Sequence, residues 1–233
     1  MNIYFDIETI PAQDPVAIEV IKSDIEKQKL LVKAPSNYKD EEKIAAYIAA
    51  EVEKLDTEFD ATYRKTSFDG GLGEICCISW AINDNPPVSL YETSETSIVF
   101  DFYQAIMNEY NPSSQQRPKF IGHNIVNFDL RFLFQRSVMN NIKPPMMIPF
   151  NAKPWDESIF DTMTAWAGHG NRVSLDKLCK IFNIPQKGNE IGEEMDGSKV
   201  WDFYQAGRIE EIAKYCEGDV ERTRQAYKRM TFQ

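Results

Sequence analysis

The stretch Ile3-Tyr4-Phe5-Asp6-Ile7-Glu8-Thr9-Ile10 is built of β-branched and aromatic residues and is closed by Pro11. Such a run, bounded by a proline, reads as a strand. Successive side chains on a strand point to opposite faces, so Asp6 and Glu8 share one face, about 6–7 Å apart along the chain. Two carboxylates side by side on an apolar strand resist joint ionisation. A hard divalent cation would relieve that repulsion by taking both as oxygen ligands. The plainer reading is an exposed strand edge that simply carries two acids. Taken alone, it leaves both readings open.

Working outward from this strand, residues from about Pro15 to Tyr63 read as helical. Ile18, Ile21 and Ile25 form one short stripe, and Ile44, Ile48, Val52, Leu55 and Phe59 form a longer one at helical spacing. Gly70, Gly71 and Gly73 mark a turn before a strand at Glu74–Ile82. Asp84-Asn85-Pro86-Pro87 ends that strand, and Val88–Tyr91 fits the return of a hairpin. Then follow a helix over Ser97–Tyr110, a short strand over Lys119–Gly122 and a helix over Asn127–Met139. Asn140 to Pro154, rich in Pro and Met, reads as a long connection. Short helices near Leu175–Phe182 and Ser198–Ala206 precede a long one over about Ile209–Met230. Hairpin strands first and interleaved helices later predict an α/β fold with a mixed sheet.

At 233 residues the chain is long enough for one large domain or one domain carrying an insertion. An apolar content of 42% excludes the disordered class. No apolar run approaches the length of a membrane span, and no basic stretch followed by an apolar one marks a secretory signal. The cysteines, Cys76, Cys77, Cys179 and Cys216, form no C-x-x-C pair, so neither a zinc cage nor a disulfide framework is expected. A reduced, cytoplasmic setting follows. The net charge of −10 stands against extensive phosphate gripping. Eight acids and two bases between Asp40 and Asp60 account for −6 of it, leaving −4 elsewhere. That acidic run reads as a solvated helix face without a site role. A basic tract also exists, in which Arg172, Lys177, Lys180 and Lys187 meet only Asp176 across Asn171–Gly188.

Two further segments carry carboxylates. In Gly122-His123-Asn124-Ile125-Val126-Asn127-Phe128-Asp129, Asn127 is a fitting N-cap that would place Asp129 in the first helical turn. There the helix dipole favours a carboxylate, which is a sufficient structural role by itself. The alternative is that the helix aims Asp129 at the strand carrying Asp6. His123 reads as a packing or hydrogen-bonding residue. In Tyr215-Cys216-Glu217-Gly218-Asp219, positions i and i+4 put the Tyr215 hydroxyl and the Asp219 carboxylate on one face. Ile212, Cys216, Val220 and Thr223 form the adjoining, more buried stripe.

Together these segments resemble the motifs of the DEDD 3′→5′ exonucleases, in the subgroup with tyrosine in the third motif. The likeness lies with the proofreading domain of family B DNA polymerases. Phe5-Asp6-Ile7-Glu8-Thr9 resembles the first motif, Asn124-Ile125-Val126-Asn127-Phe128-Asp129 the second, and Tyr215-Cys216-x-x-Asp219 the third. Ser174-Leu175-Asp176-Lys177-Leu178 is similar to a segment usual between the second and third. The resemblance spans one domain over residues 1–233 except about residues 12–70, which read as a helical insertion.

What the resemblance implies is a ribonuclease-H-like mixed five-stranded sheet flanked by helices. It implies a nuclease using two Mg²⁺ or Mn²⁺ ions on single-stranded 3′ ends, standing alone rather than joined to a polymerase. Asp6 would bridge both ions, Glu8 and Asp219 would complete the first, and Asp129 would hold the second. Tyr215 would orient the attacking water. Thr9, Asn124 and Phe128 are the expected substrate contacts, with Phe128 stacking a base or packing as a core aromatic. Asp161, in Ile159-Phe160-Asp161-Thr162, either assists the site or caps the segment after it. Motifs of polymerase type favour DNA. The competing expectations are a 3′→5′ exoribonuclease and a non-catalytic nucleic-acid-binding module of the same fold.

Overall fold

The computed structural model describes residues 1–91, 94–113, 117–153, 155–186, 191–192 and 195–233. The expectations that touch Pro154, Lys187 and Gly188 lie outside the described residues. The chain divides into two compact units, one of Met1–Ile10 with Ile75–Gln233 and the other of Pro11–Glu74.

The smaller unit is a pair of helices, α1 (Pro15–Leu31) and α2 (Glu41–Lys65), packed on each other. Asp14 caps α1 by accepting from Val16 N, and Pro15 occupies the first turn, where its missing N–H costs nothing. Asp40 caps α2 in the same way through Glu42 N and Lys43 N. The stripe Ile44, Ile48, Val52, Leu55 and Phe59 is half-buried along α2, and Lys29 on α1 pairs with Asp56 on α2 at 2.6 Å. At the ends of this unit, Ala12 N donates to Thr66 Oγ1 and the Tyr63 hydroxyl donates to Ala12 O.

The larger unit is an α/β fold on a five-stranded sheet. Its strands are β1 (Asn2–Ile10), β2 (Glu74–Ile82), β3 (Val88–Leu90), β4 (Lys119–Gly122) and β5 (Ile159–Asp161), in the order β3-β2-β1-β4-β5. β1 runs parallel to β4, and β4 to β5, while β2 and β3 form the expected antiparallel hairpin. The sheet is therefore mixed, in the ribonuclease-H-like arrangement. Helices α3 (Glu95–Glu109) and α4 (Asp129–Met139) cover one face. The remaining helices are α5 (Thr162–Ala167), α6 (Leu175–Phe182), α7 (Val200–Gln205) and α8 (Ile209–Met230), and α7 and α8 cover the opposite face.

The alternation along β1 decides what each face holds. Ile3, Phe5 and Ile7 enter the core with Phe102, Ile106 and Leu133. Tyr4 and Ile10 pack on the other side, with Tyr227 and Ile212 of α8. Asp6 and Glu8 share the parity of Tyr4 and Ile10, so they face α8.

One expected cap is corrected. Asn127 does not cap α4; Phe128 holds that position and no side chain caps the helix. The reason is a tight turn at Asn124, whose φ of +65° reverses the chain. Asn127 N and Phe128 N then both bond to Asn124 O, at 3.2 and 3.0 Å, before the helix starts. Asp129 still falls in the first turn.

Candidate active site

The sheet and two helices bring the acidic residues of all three motifs to the C-terminal end of β1. Asp6 is half-buried and Glu8 buried on the face that α8 crosses. From α8, Tyr215, Cys216 and Asp219 all point inward and are buried. The Cys216 thiol donates to Asp6 O at 3.4 Å and to Asp6 Oδ2 at 3.5 Å, and one ligand atom each of Asp6, Glu8 and Cys216 lies within 4.8 Å of the others. The Cys76 thiol supports the next turn of the strand by donating to Glu8 O at 3.4 Å. Burial pushes both thiols well above their ordinary pKa, so neither is a thiolate nucleophile.

Asp129 approaches from the opposite side of the sheet. It is 2% exposed, and Ile7 N, between the two strand acids, donates to its Oδ1 at 3.2 Å. Burial first, and the neighbouring Asp6 charge second, raise its carboxyl well above the usual range. Such a cluster is costly as it stands, and its carboxylates offer hard oxygens, while burial keeps the Cys216 sulfur beside them a neutral thiol. Those two properties fit a divalent cation of the Mg²⁺ or Mn²⁺ kind.

Asp219 has a partner that sequence reasoning missed. Arg222 Nη1 donates to Asp219 Oδ1 at 3.0 Å, and both side chains are buried. The same guanidinium donates to Pro185 O and Gln186 O, both at 3.1 Å, tying the chain after α6 to α8. Three-residue spacing on a helix was the available signal, but it is too common to single out Arg222.

The Tyr215 phenol is pushed far above its ordinary pKa, by burial first and then by Asp219, Glu8 and Asp6. Three acids thus act on one hydroxyl. Thr9 is half-buried at the end of β1. Asn124 is half-buried at the left-handed turn, and its N–H donates to Asp161 Oδ1 at 3.0 Å. Phe128 is also half-buried and packs on Phe132 at 5.7 Å between ring centroids, so much of its face belongs to the core. His123 lies in hydrogen bonds with Thr162 Oγ1 and Val173 O, both at 2.9 Å. Asp161 caps α5 and also binds the loop before α4. Arg172, Lys177 and Lys180 are exposed.

A cleft lined by Met1, Asn2, Arg117, Lys119, Asp156 and Ser158 lies at the other ends of the parallel strands. At about 3.3 Å per residue of β1, it is more than a dozen ångströms from Asp6 and Glu8. It has no part in the cluster.

Residues 75–233 match the model of a family described as a predicted 3′–5′ exonuclease related to the exonuclease domain of PolB. The chain belongs to that family. No curated protein matches it. The span matched in this exonuclease family holds Asp129, Tyr215 and Asp219, whereas Asp6 and Glu8 precede it. Their place beside α8 comes from the geometry of β1. No helix among the described residues is long and apolar enough to cross a membrane.

Proposed function

We propose that this chain is a divalent-metal-dependent 3′→5′ exonuclease that removes nucleotides from single-stranded DNA ends. The observation that carries the proposal is the meeting of Asp6 and Glu8 on β1 with Tyr215 and Asp219 on α8 and with Asp129 beneath Ile7 N. Asp6, Glu8, Asp129 and Asp219 would hold two Mg²⁺ or Mn²⁺ ions. Ions held there supply charge neutralisation for an in-line displacement at phosphorus.

The protein's own groups do the rest. Arg222 fixes the Asp219 carboxylate through Oδ1 and so holds it in place for the cation. Tyr215, kept neutral, offers a hydroxyl that orients the attacking water without taking its proton. Thr9, Asn124 and Phe128 are the proposed contacts for the terminal nucleotide. Asp161 is not assigned a ligand role.

Residues 12–70 are taken as an insertion into a single exonuclease domain, without a part in the chemistry. None of the four cysteines is in a disulfide, which supports the proposed reduced, cytoplasmic setting.

The test is 5′-labelled single-stranded DNA and RNA of one sequence, incubated with Mg²⁺ or Mn²⁺ alongside an Asp6→Ala control. A ladder shortening from the 3′ end of DNA, absent with Asp6→Ala, is expected. Faster shortening of RNA would reassign the substrate. Internal cuts, or intact strands with every cation, would refute the exonuclease.

A further inference from the structure

We propose that Asp161 is a positioning residue that sets the place of Asp129 by clamping the loop between β4 and α4. The inference rests on the assignment of Asp129 as a cation ligand.

Asp161 ends β5 in register with Gly122 at the end of β4, and it is 2% exposed. Its Oδ1 accepts from Met163 N at 3.0 Å and Thr164 N at 3.3 Å, which accounts for a helix cap. A cap would need nothing more. The same carboxylate also accepts from Asn124 N at 3.0 Å, through Oδ1, and from Val126 N at 3.4 Å, through Oδ2. Those two donors belong to another element, three to five residues before Asp129. With four backbone N–H groups on two oxygens, Asp161 is engaged as an acceptor rather than free to ligate.

The loop it holds has little freedom of its own to reach that shape. Asn124 sits at φ +65°, a conformation most side chains avoid. A Cβ on Gly122 would come within 2.6 Å of Ile125 Cβ, so the loop folds directly back on its strand. Thr162, the next residue, donates from Oγ1 to Gly122 O at 3.2 Å and lies 2.9 Å from His123 Nδ1. The pair Asp161-Thr162 thereby holds Gly122, His123, Asn124 and Val126 in turn. The chain then enters α4 with Asp129 directed at Ile7 N.

Partners that orient a metal ligand typically change metal affinity 10- to 100-fold when removed, and this supplies the expected scale. The experiment is a Mn²⁺ titration followed by electron paramagnetic resonance of the free ion. It uses the full chain as wild type, Asp129→Asn, Asp161→Ala, Asp161→Asn and Ser94→Ala. Ser94 caps α3 through Ser97 N, so Ser94→Ala removes a cap without touching the clamp.

Wild type binds two ions, and Asp129→Asn weakens one of them. Asp161→Ala weakens that same ion about 10- to 100-fold and spares the other. Asp161→Asn, which keeps one acceptor oxygen, weakens it less, and Ser94→Ala leaves both affinities at the wild-type value. Wild-type affinities in both Asp161 variants overturn the inference, and so does equal weakening of both ions. If Asp161→Ala fails to fold, Asp161→Asn decides by the same criterion. A wild type that binds no Mn²⁺ overturns the parent assignment of the acids, and this inference with it. The two failures are thus distinguishable.

Discussion

Tyr215 and Asp129 show how burial sets what a single residue can do. A phenol ordinarily ionises near pH 10, and burial with three neighbouring acids moves Tyr215 higher still. It is a hydroxyl throughout the working range, and its contribution is orientation. Tyr215→Phe is therefore expected to lower the single-turnover rate about 10²-fold, the scale of a misplaced reactant. An unchanged rate would remove it from the mechanism. For Asp129 the raised carboxyl pKa gives a signed prediction in metal-free protein. Between the ordinary value of about 3.9 and the raised one, the native state holds a proton that the unfolded chain has lost. Stability from this group is complete below the ordinary value and is lost as pH rises through the folded one. Asp129→Asn keeps an oxygen for Ile7 N and has no charge to bury. With a chelator present, its urea midpoint should exceed that of wild type at neutral pH, and the difference should close on acidification. The variant should also be inactive. A wild type that gains stability between pH 5 and 7 relative to Asp129→Asn would reverse the sign.

At the scale of elements, one buried carboxylate joins three of them. Glu95 at the start of α3 accepts from Ile75 N of β2 at 2.7 Å, and from Arg136 Nε and Nη2 of α4 at 2.7 and 2.6 Å. Asn140 Nδ2 adds a further bond at 2.7 Å. Removing one member of a buried pair costs about 3–5 kcal/mol, because the other charge is left uncompensated. Glu95→Ala should cost that much in chemical denaturation, whereas the double change Glu95→Leu with Arg136→Met should recover most of it. Equal losses in the two would mean that the pair carries no coupling. The elements themselves were legible wherever the pattern was long. β2 and α8 have the expected bounds, and β1 begins one residue earlier than expected. α3 starts two residues early because Ser94, unnoticed in sequence, caps it. β5 and α5 went unread as elements: three and six residues are too few for a period to register. The acids of the proposed site were legible through the resemblance of three motifs taken together, since period 2 on β1 and i, i+4 on α8 only put Asp6 with Glu8 and Tyr215 with Asp219 on single faces. Arg222 and the loop bonds of Asp161 were not, since three-residue spacing on a helix is too common to mark Arg222, and the other bonds of both run to backbone groups distant in sequence.

Across the whole molecule, the two units share the net charge equally, at −5 each, and differ in where their acids lie. α2 carries seven acids against four bases, nearly all of the acids exposed, with salt bridges such as Arg64–Asp60 at 2.9 Å along its own surface. Of the acids proposed to act, Glu8, Asp129 and Asp219 are buried and Asp6 is half-buried, in a unit with Arg172, Lys177 and Lys180 exposed. A net charge of −10 therefore says little about the site. Buried, converging carboxylates and exposed, dispersed ones differ in their demand for a cation, and that difference can be seen directly. A crystal of the full chain soaked in Mn²⁺ should show two anomalous peaks about 3.5–4 Å apart, both touching Asp6, with Glu8 and Asp219 on one and Asp129 on the other. Peaks confined to the acidic surface of α2, or none at all, would contradict the proposed site.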